Sequence, residues 1–403
     1  MAYTTTTKTS YGQRLSGSMR GILTGLILFL IGTVMLFRNE GSFVKQKKAL
    51  NEAQSVTRHV SDVSDVDASL NGTVIHASAL ATTSDVLTDP QFGVNATAIS
   101  ISRKVEYYQY EEKVSTKKVD KIGGGQEEVK TYTYHKAWTS RPVESGKFAD
   151  PNYQGSNRTL ATVETETQTA GNVSFGAYRL PPFMVRSIGG SVNLDFELSQ
   201  ERMQYWKKII ASNAKTAGVK TDSAAMIHQH GNTVYFGKSE TTPEIGDLKI
   251  TFTKVDPKEI SIIAKVSNNS FEEFVANNGN SFYKVSIGML SADNMFAGAH
   301  SSNSMWTWIL RIIGIILVVS GLKSMFGILP ALFKVVPFLG NIVGAGVGLI
   351  CTVIGLAWSL IIISLAWLFY RPLIGVPLLL AAIAGIWYLK TKAGEKNMQS
   401  QQN

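Results

Sequence analysis

Cysteine is nearly absent. The 403-residue chain holds one, Cys351, so no intrachain disulfide can form and each domain must rest on its own core. Acid is missing from both ends: residues 1–37 contain none and residues 305–403 contain only Glu395. Charge is scarce overall, 17% against 44% hydrophobic residues, which departs from a soluble composition. No serine nucleophile elbow, phosphate loop or dinucleotide fingerprint occurs, and no internal repeat is found. An enzyme is therefore the least supported class, and no cofactor is implied.

The net charge of +9 raises nucleic acid as a partner, but its distribution removes the main support for that reading. Lys8, Arg14 and Arg20 give three charges to residues 1–37. Arg311, Lys323, Lys334, Arg371, Lys390, Lys392 and Lys396, less Glu395, give six to residues 305–403. The middle region, 38–304, is neutral. All the excess flanks apolar segments, where basic residues orient helices in a bilayer.

A helix needs roughly 20 apolar residues to cross about 30 Å of hydrocarbon. Gly21–Phe37, between Arg20 and Arg38, serves as a first span if the arginines snorkel. A signal peptide shares its basic start, but Leu36 and Phe37 close the run where a small-residue cleavage site belongs. A second span is expected over 305–329, opened by the interfacial Trp306 and Trp308. Val335–Tyr370 is uncharged and, as one straight helix, would reach about 54 Å. The expectation is therefore an interfacial or re-entrant piece over 335–346, holding Pro337 and Asn341, and a third span over 347–369. Arg371-Pro372 breaks the chain, and 373–389 forms a fourth span.

Four crossings place the tails 1–20 and 390–403 in the cytosol and the domain 38–304 on the luminal or extracytoplasmic side. Lys45, Lys47 and Lys48 count against that orientation.

The middle domain is expected to be mainly β. Ile99, Ile101, Val105 and Tyr107 alternate with polar residues. With Val129–Trp138 beyond Gly123-Gly124-Gly125, they spell a long hairpin. Further strands are expected at Leu248/Ile250/Phe252, Ile260/Ile262/Ala264 and Tyr283/Val285/Ile287. Ser199 caps a helix that turns Met203, Trp206 and Ile210 inward. The fold class is thus α+β, with one N-terminal and three C-terminal transmembrane helices around a β-rich domain.

Arg311 is a charge inside a span, and the choice is between anchoring or helix packing and a polar pathway. Gly17, Gly21 and Gly25 form one ridge of small residues, and Gly340, Gly344 and Gly348 another. Either admits close helix association, within the chain or between copies. His228 and His230 share a strand face without a third metal ligand nearby, so no metal is expected. Glu106, Glu111 and Glu112 face lysines across the hairpin and read as a salt-bridged surface. Tyr107, Tyr132, Tyr134 and Trp138 read as core before binding patch. Asn71, Asn95, Asn157, Asn172 and Asn268 begin sequons usable only in a glycosylating lumen.

Ordered motifs then point to a family. They are Asn39-Glu40-Gly41, placed at a hinge after the first span; Asp89-Pro90-Gln91-Phe92-Gly93-Val94; and Arg103-Lys104-Val105-Glu106-Tyr107-Tyr108-Gln109-Tyr110. Tyr132-Thr133-Tyr134 with Trp138, Pro243-Glu244-Ile245-Gly246-Asp247-Leu248, Ser302-Asn303-Ser304-Met305 and Ala366–Leu373, which contains Arg371-Pro372, follow in order. In these the chain resembles the transmembrane protein 43 (LUMA) family along nearly its whole length. The resemblance implies one span, a large luminal domain and three more spans. It also implies self-association and, in animals, residence in the endoplasmic reticulum and inner nuclear membrane with envelope proteins as partners. A bacterial relative would sit in the cytoplasmic membrane. No catalytic residues carry over. The function expected is a non-enzymatic membrane scaffold that self-associates and binds partners, with a pore or transporter component as the alternative.

Overall fold

Alternation in the sequence becomes alternation in burial. Ile99, Ile101, Val105 and Tyr107 are all at most 3% exposed, on and just before the strand Ser100–Asp120. The computed structural model describes residues 2–216, 227–373, 376, 377 and 380. Its helices are α1 (Tyr11–Val56), α2 (Pro182–Val185), α3 (Gln200–Thr216), α4 (Ala292–Met325), α5 (Ile328–Phe333) and α6 (Pro337–Tyr370). The chain divides into two compact units. One holds residues 1–6, 52–117 and 129–296; the other holds 7–51, 118–128 and 297–403.

The first unit is the β-rich one. Its larger sheet, of eight strands, runs in the order Tyr3–Thr9, Gln126–Thr139, Ser100–Asp120, Leu248–Val255, Thr233–Phe236, Ile227–His230. Ser100–Asp120 pairs antiparallel with Leu248–Val255 from Ser100↔Val255 to Tyr107↔Leu248. Leu248, Ile250 and Phe252 turn inward and join Phe92, Trp206, Ile210 and Phe236 in one core. Ser199 caps α3 as expected, its Oγ accepting from Arg202 N at 3.2 Å. The smaller sheet, of seven strands, centres on Lys258–Ser267, paired with Val74–Thr82 and with Lys284–Ile287. Ile260, Ile262 and Ala264 pack there with Phe175, Tyr178 and Phe271.

The second unit holds three helices long and apolar enough to cross a membrane: Tyr11–Val56, Ala292–Phe333 counted with its short continuation, and Pro337–Tyr370. The one N-terminal span is there, and so are two C-terminal ones. The expected fourth span, 373–389, and the tail 390–403 lie almost wholly outside the described residues.

The helices run past several of the expected segment ends. No hinge follows the first span, because α1 continues for 46 residues, about 69 Å. It contains no proline, and Asn39, Glu40 and Gly41 are buried inside it. Within the segment 335–346 expected to be interfacial or re-entrant, residues 337–346 form the start of α6, which is unbroken for 34 residues and continuous with the expected third span. Pro337 sits in its first turn, where a missing N–H costs nothing. The helix that carries the expected second span starts before residue 305. It is α4, which starts at Ala292 with Asn294 N donating to Ser291 Oγ at 3.3 Å.

The block 38–304 is not separate from the tail either. Residues 118–128, the hairpin tip, belong to the second unit. There Asp120 pairs with Arg14 at 2.9 Å and Lys334 at 2.5 Å. Gly123 N donates to Val335 O at 3.0 Å. This tip therefore ends beside Arg14, a residue expected in the cytosolic tail.

α1 and α4 meet backbone to backbone. A Cβ added to Gly25 would lie 2.6 Å from Gly321 O, and one on Gly32 would lie 2.9 Å from Gly314 O. Leu36, Val318, Leu322, Cys351 and Ile362 fill the remaining space.

Candidate functional site

In a bilayer a helix satisfies its own backbone and offers almost no N–H to a buried carboxylate. An acid there depends on side chains. Glu40, on α1, is fully buried, and its partners come from two other places in the chain. From α4, Arg311 donates Nε to Oε1 at 2.6 Å and Nη2 to Oε2 at 2.9 Å, a two-pronged pair. At the end of α6, Trp367 Nε1 donates to Oε2 at 2.9 Å, and Arg371 lies 3.7 Å from the same oxygen.

The arginines are themselves held by aromatic faces. Arg311 lies 4.6 Å from the Trp308 ring centre and Arg371 4.6 Å from that of Phe43. Asn39 Nδ2 donates to Thr307 O at 3.0 Å, one turn from Arg311. Gly41 completes the approach, because a Cβ there would lie 2.5 Å from the Tyr370 ring.

The sequence listed Glu40 and Arg371 as motif positions and left Arg311 between anchoring and a pathway. The structure brings all three together. One signal could have found the pair: Glu40 is the first acid in the chain, three residues past an apolar run, and Arg311 is a lone cation in another.

Other motif residues form buried polar nodes in the β-rich unit. The Asp89 carboxylate accepts from Gln91 N and Phe92 N, both at 3.0 Å, and pairs with Arg103. Arg103 also reaches Glu166 at 3.1 Å. Pro90 lies in that turn, and Gly93 follows it at φ 71°, where a side chain would strain. Gln109 accepts from Val143 N at 2.5 Å and donates to Arg158 O at 3.2 Å. Asp247 accepts from Tyr235 Oη at 2.6 Å and Glu244 N at 2.8 Å. Burial outweighs these donors and pushes the Asp247 carboxyl above the usual carboxylate range; the same burial, with Asp247 beside it, pushes the Tyr235 phenol up. Gly246, at φ 108°, makes the bend before Asp247.

Trp138 and Glu106 stay near the surface. Lys249 Nζ lies 4.7 Å from the Trp138 ring centre and 3.3 Å from Glu106, which Lys104 also meets at 2.9 Å. Tyr107 is core, while Tyr134 is half-buried and stacks on Tyr153 at 4.0 Å.

The histidines do not converge. His76 contacts His59, while His228 reaches Lys238 O and His230 pairs with Glu240. Among the described residues no group of three metal-ligating side chains occurs. The glycine ridges differ. Gly21 and Gly25 meet α4, and Gly340 and Gly344 meet Lys334 and Pro330. Gly17 and Gly348 would give a Cβ open space.

Comparison with known proteins gives one consistent result. Residues 107–372 match the family described as Transmembrane protein 43. Transmembrane protein 43 of Rattus norvegicus is 27% identical over 397 residues, covering 96% of this chain and 94% of its own. That of Homo sapiens is 25% identical, covering 98% and 96%. The Transmembrane protein 43 homolog of Drosophila melanogaster is 28% identical, covering 91% and 94%. No solved structure matches the chain.

Proposed function

The chain belongs to the transmembrane protein 43 family and is a membrane protein, and on that premise we propose that it is a non-enzymatic scaffold. It self-associates through its helical unit and offers its β-rich unit to partner proteins. The observation that carries this reading is the Glu40 cluster. The charge inside the second span is consumed by a buried carboxylate held through four donor contacts or ion pairs. An ion or solute route needs polar groups free to exchange with water; these are engaged with one another. The cluster is a staple that makes three helices one platform.

Self-association uses the open part of the α6 ridge. Among the described residues Gly348 faces no neighbour, and Leu349 and Val353 beside it are exposed, so a second copy can approach closely there. The full-length protein in nanodiscs should form oligomers that Gly344→Leu/Gly348→Leu shrinks. Unchanged assembly removes this face from the account. Liposomes carrying the wild-type protein should pass no ions; measurable flux favours the pore reading. Residence in the endoplasmic reticulum and inner nuclear membrane follows the resemblance for an animal source, and fractionation of the native membrane tests it.

A further inference from the structure

Lys47 and Lys48 remain unexplained by any helix-orienting role, since they follow the first span on the side expected to be poor in cations. They line a cavity of about 390 Å³ at the end of the helical unit. Arg371 is its third cation, Asn51 is the neutral polar member, and no carboxylate lines it among the described residues. Neither lysine forms an ion pair among the described residues. Arg371 shares Glu40 with Arg311, so the two arginines and Glu40 keep one positive charge. With the lysines, three charges stand uncompensated.

The remaining walls are apolar: Val44, Tyr370 and Leu373. Leu373 is 92% exposed and Phe369 beside it 71%. Exposed apolar side chains at this end of the helices mark the edge of the hydrocarbon, and Lys47 and Lys48, about one turn past Val44, which shares the cavity with Leu373, lie at headgroup height.

We propose that this cavity is a binding site for an anionic phospholipid, its phosphate held by Lys47, Lys48 and Arg371 and its acyl chain laid along Val44 and Leu373. Basic pockets at the ends of membrane helices take phosphate headgroups in this way. The apolar walls select the lipid over free phosphate, which gains nothing from them. The charges at Lys47 and Lys48 then serve recognition rather than orientation. The proposal is separable from self-association, because its test reads lipid binding rather than oligomer size.

Native mass spectrometry of the full-length protein, titrated with phosphatidylglycerol or phosphatidylcholine, tests the proposal. Phosphatidylglycerol should bind preferentially. Lys47→Gln/Lys48→Gln should weaken it by about tenfold or more, at roughly 1 kcal/mol per lysine. The charge-matched Lys207→Gln/Lys208→Gln on α3 should leave it unchanged. A photoactivatable phosphatidylglycerol on the wild-type protein should label residues 44–51 and 370–373, which keeps the test intact if the double variant does not fold. Equal binding of both lipids, labelling elsewhere, or complete displacement by inorganic phosphate would overturn it.

Discussion

The two units bury carboxylates by different means. In the β-rich unit Asp89 takes two backbone N–H groups from its own turn and needs one arginine beyond them. In the helical unit Glu40 finds no such N–H groups, and its ligands are two arginines and an indole drawn from α4 and the end of α6. A turn supplies local donors at the moment it forms. A helix supplies none, so the same charge becomes a long-range device. The first arrangement secures a loop, and the second secures a tertiary structure.

The largest effect should come from removing the long-range device. Glu40→Ala leaves Arg311 and Arg371 facing each other in a largely buried site and should cost about 3–5 kcal/mol, read as a fall in melting temperature in nanodiscs. Arg103→Met tests the local counterpart. Asp89 keeps its turn donors, so the loss should be smaller, about 2 kcal/mol, by the same melt. Equal losses would erase the distinction between the units.

Helix contact should rank next. Gly25→Val pushes into Gly321 and should cost about 1–3 kcal/mol, whereas Gly17→Val, which meets nothing, should be neutral. The smallest effect is in the β-rich unit. Its fold raises the Asp247 carboxyl above the unfolded value, so the folded state holds the proton more tightly. That group penalises stability above its folded pKa, and the penalty is relieved as pH falls from there toward the ordinary carboxylate range. Relative to wild type, Asp247→Asn should gain most at neutral pH and lose that advantage on acidification; chemical denaturation across pH measures it.

Strands were legible where one face is buried, as at Leu248, Ile250 and Phe252, because period two writes itself into the order of residues. Helix ends in the membrane were not. Glycine, asparagine and proline are read as breaks from experience in water, yet Asn39 and Gly41 lie inside α1 and Pro337 begins α6. In lipid such residues are kept when a neighbouring helix satisfies or occupies the space they leave. The cluster at Glu40 was visible only as three separate charged residues, since its members are set together by helix packing and no local pattern encodes that.

Glu40 also imposes a schedule on biosynthesis. Arg311 follows it by 271 residues, Trp367 by 327 and Arg371 by 331. At about 5–20 residues per second, the acid emerges from the ribosome roughly 15–65 s before its last ligand exists. Until then the first helix carries an unmatched carboxylate near the bilayer. A chain truncated before the third long helix never closes this account, and the insertion machinery meets it as an unfinished product.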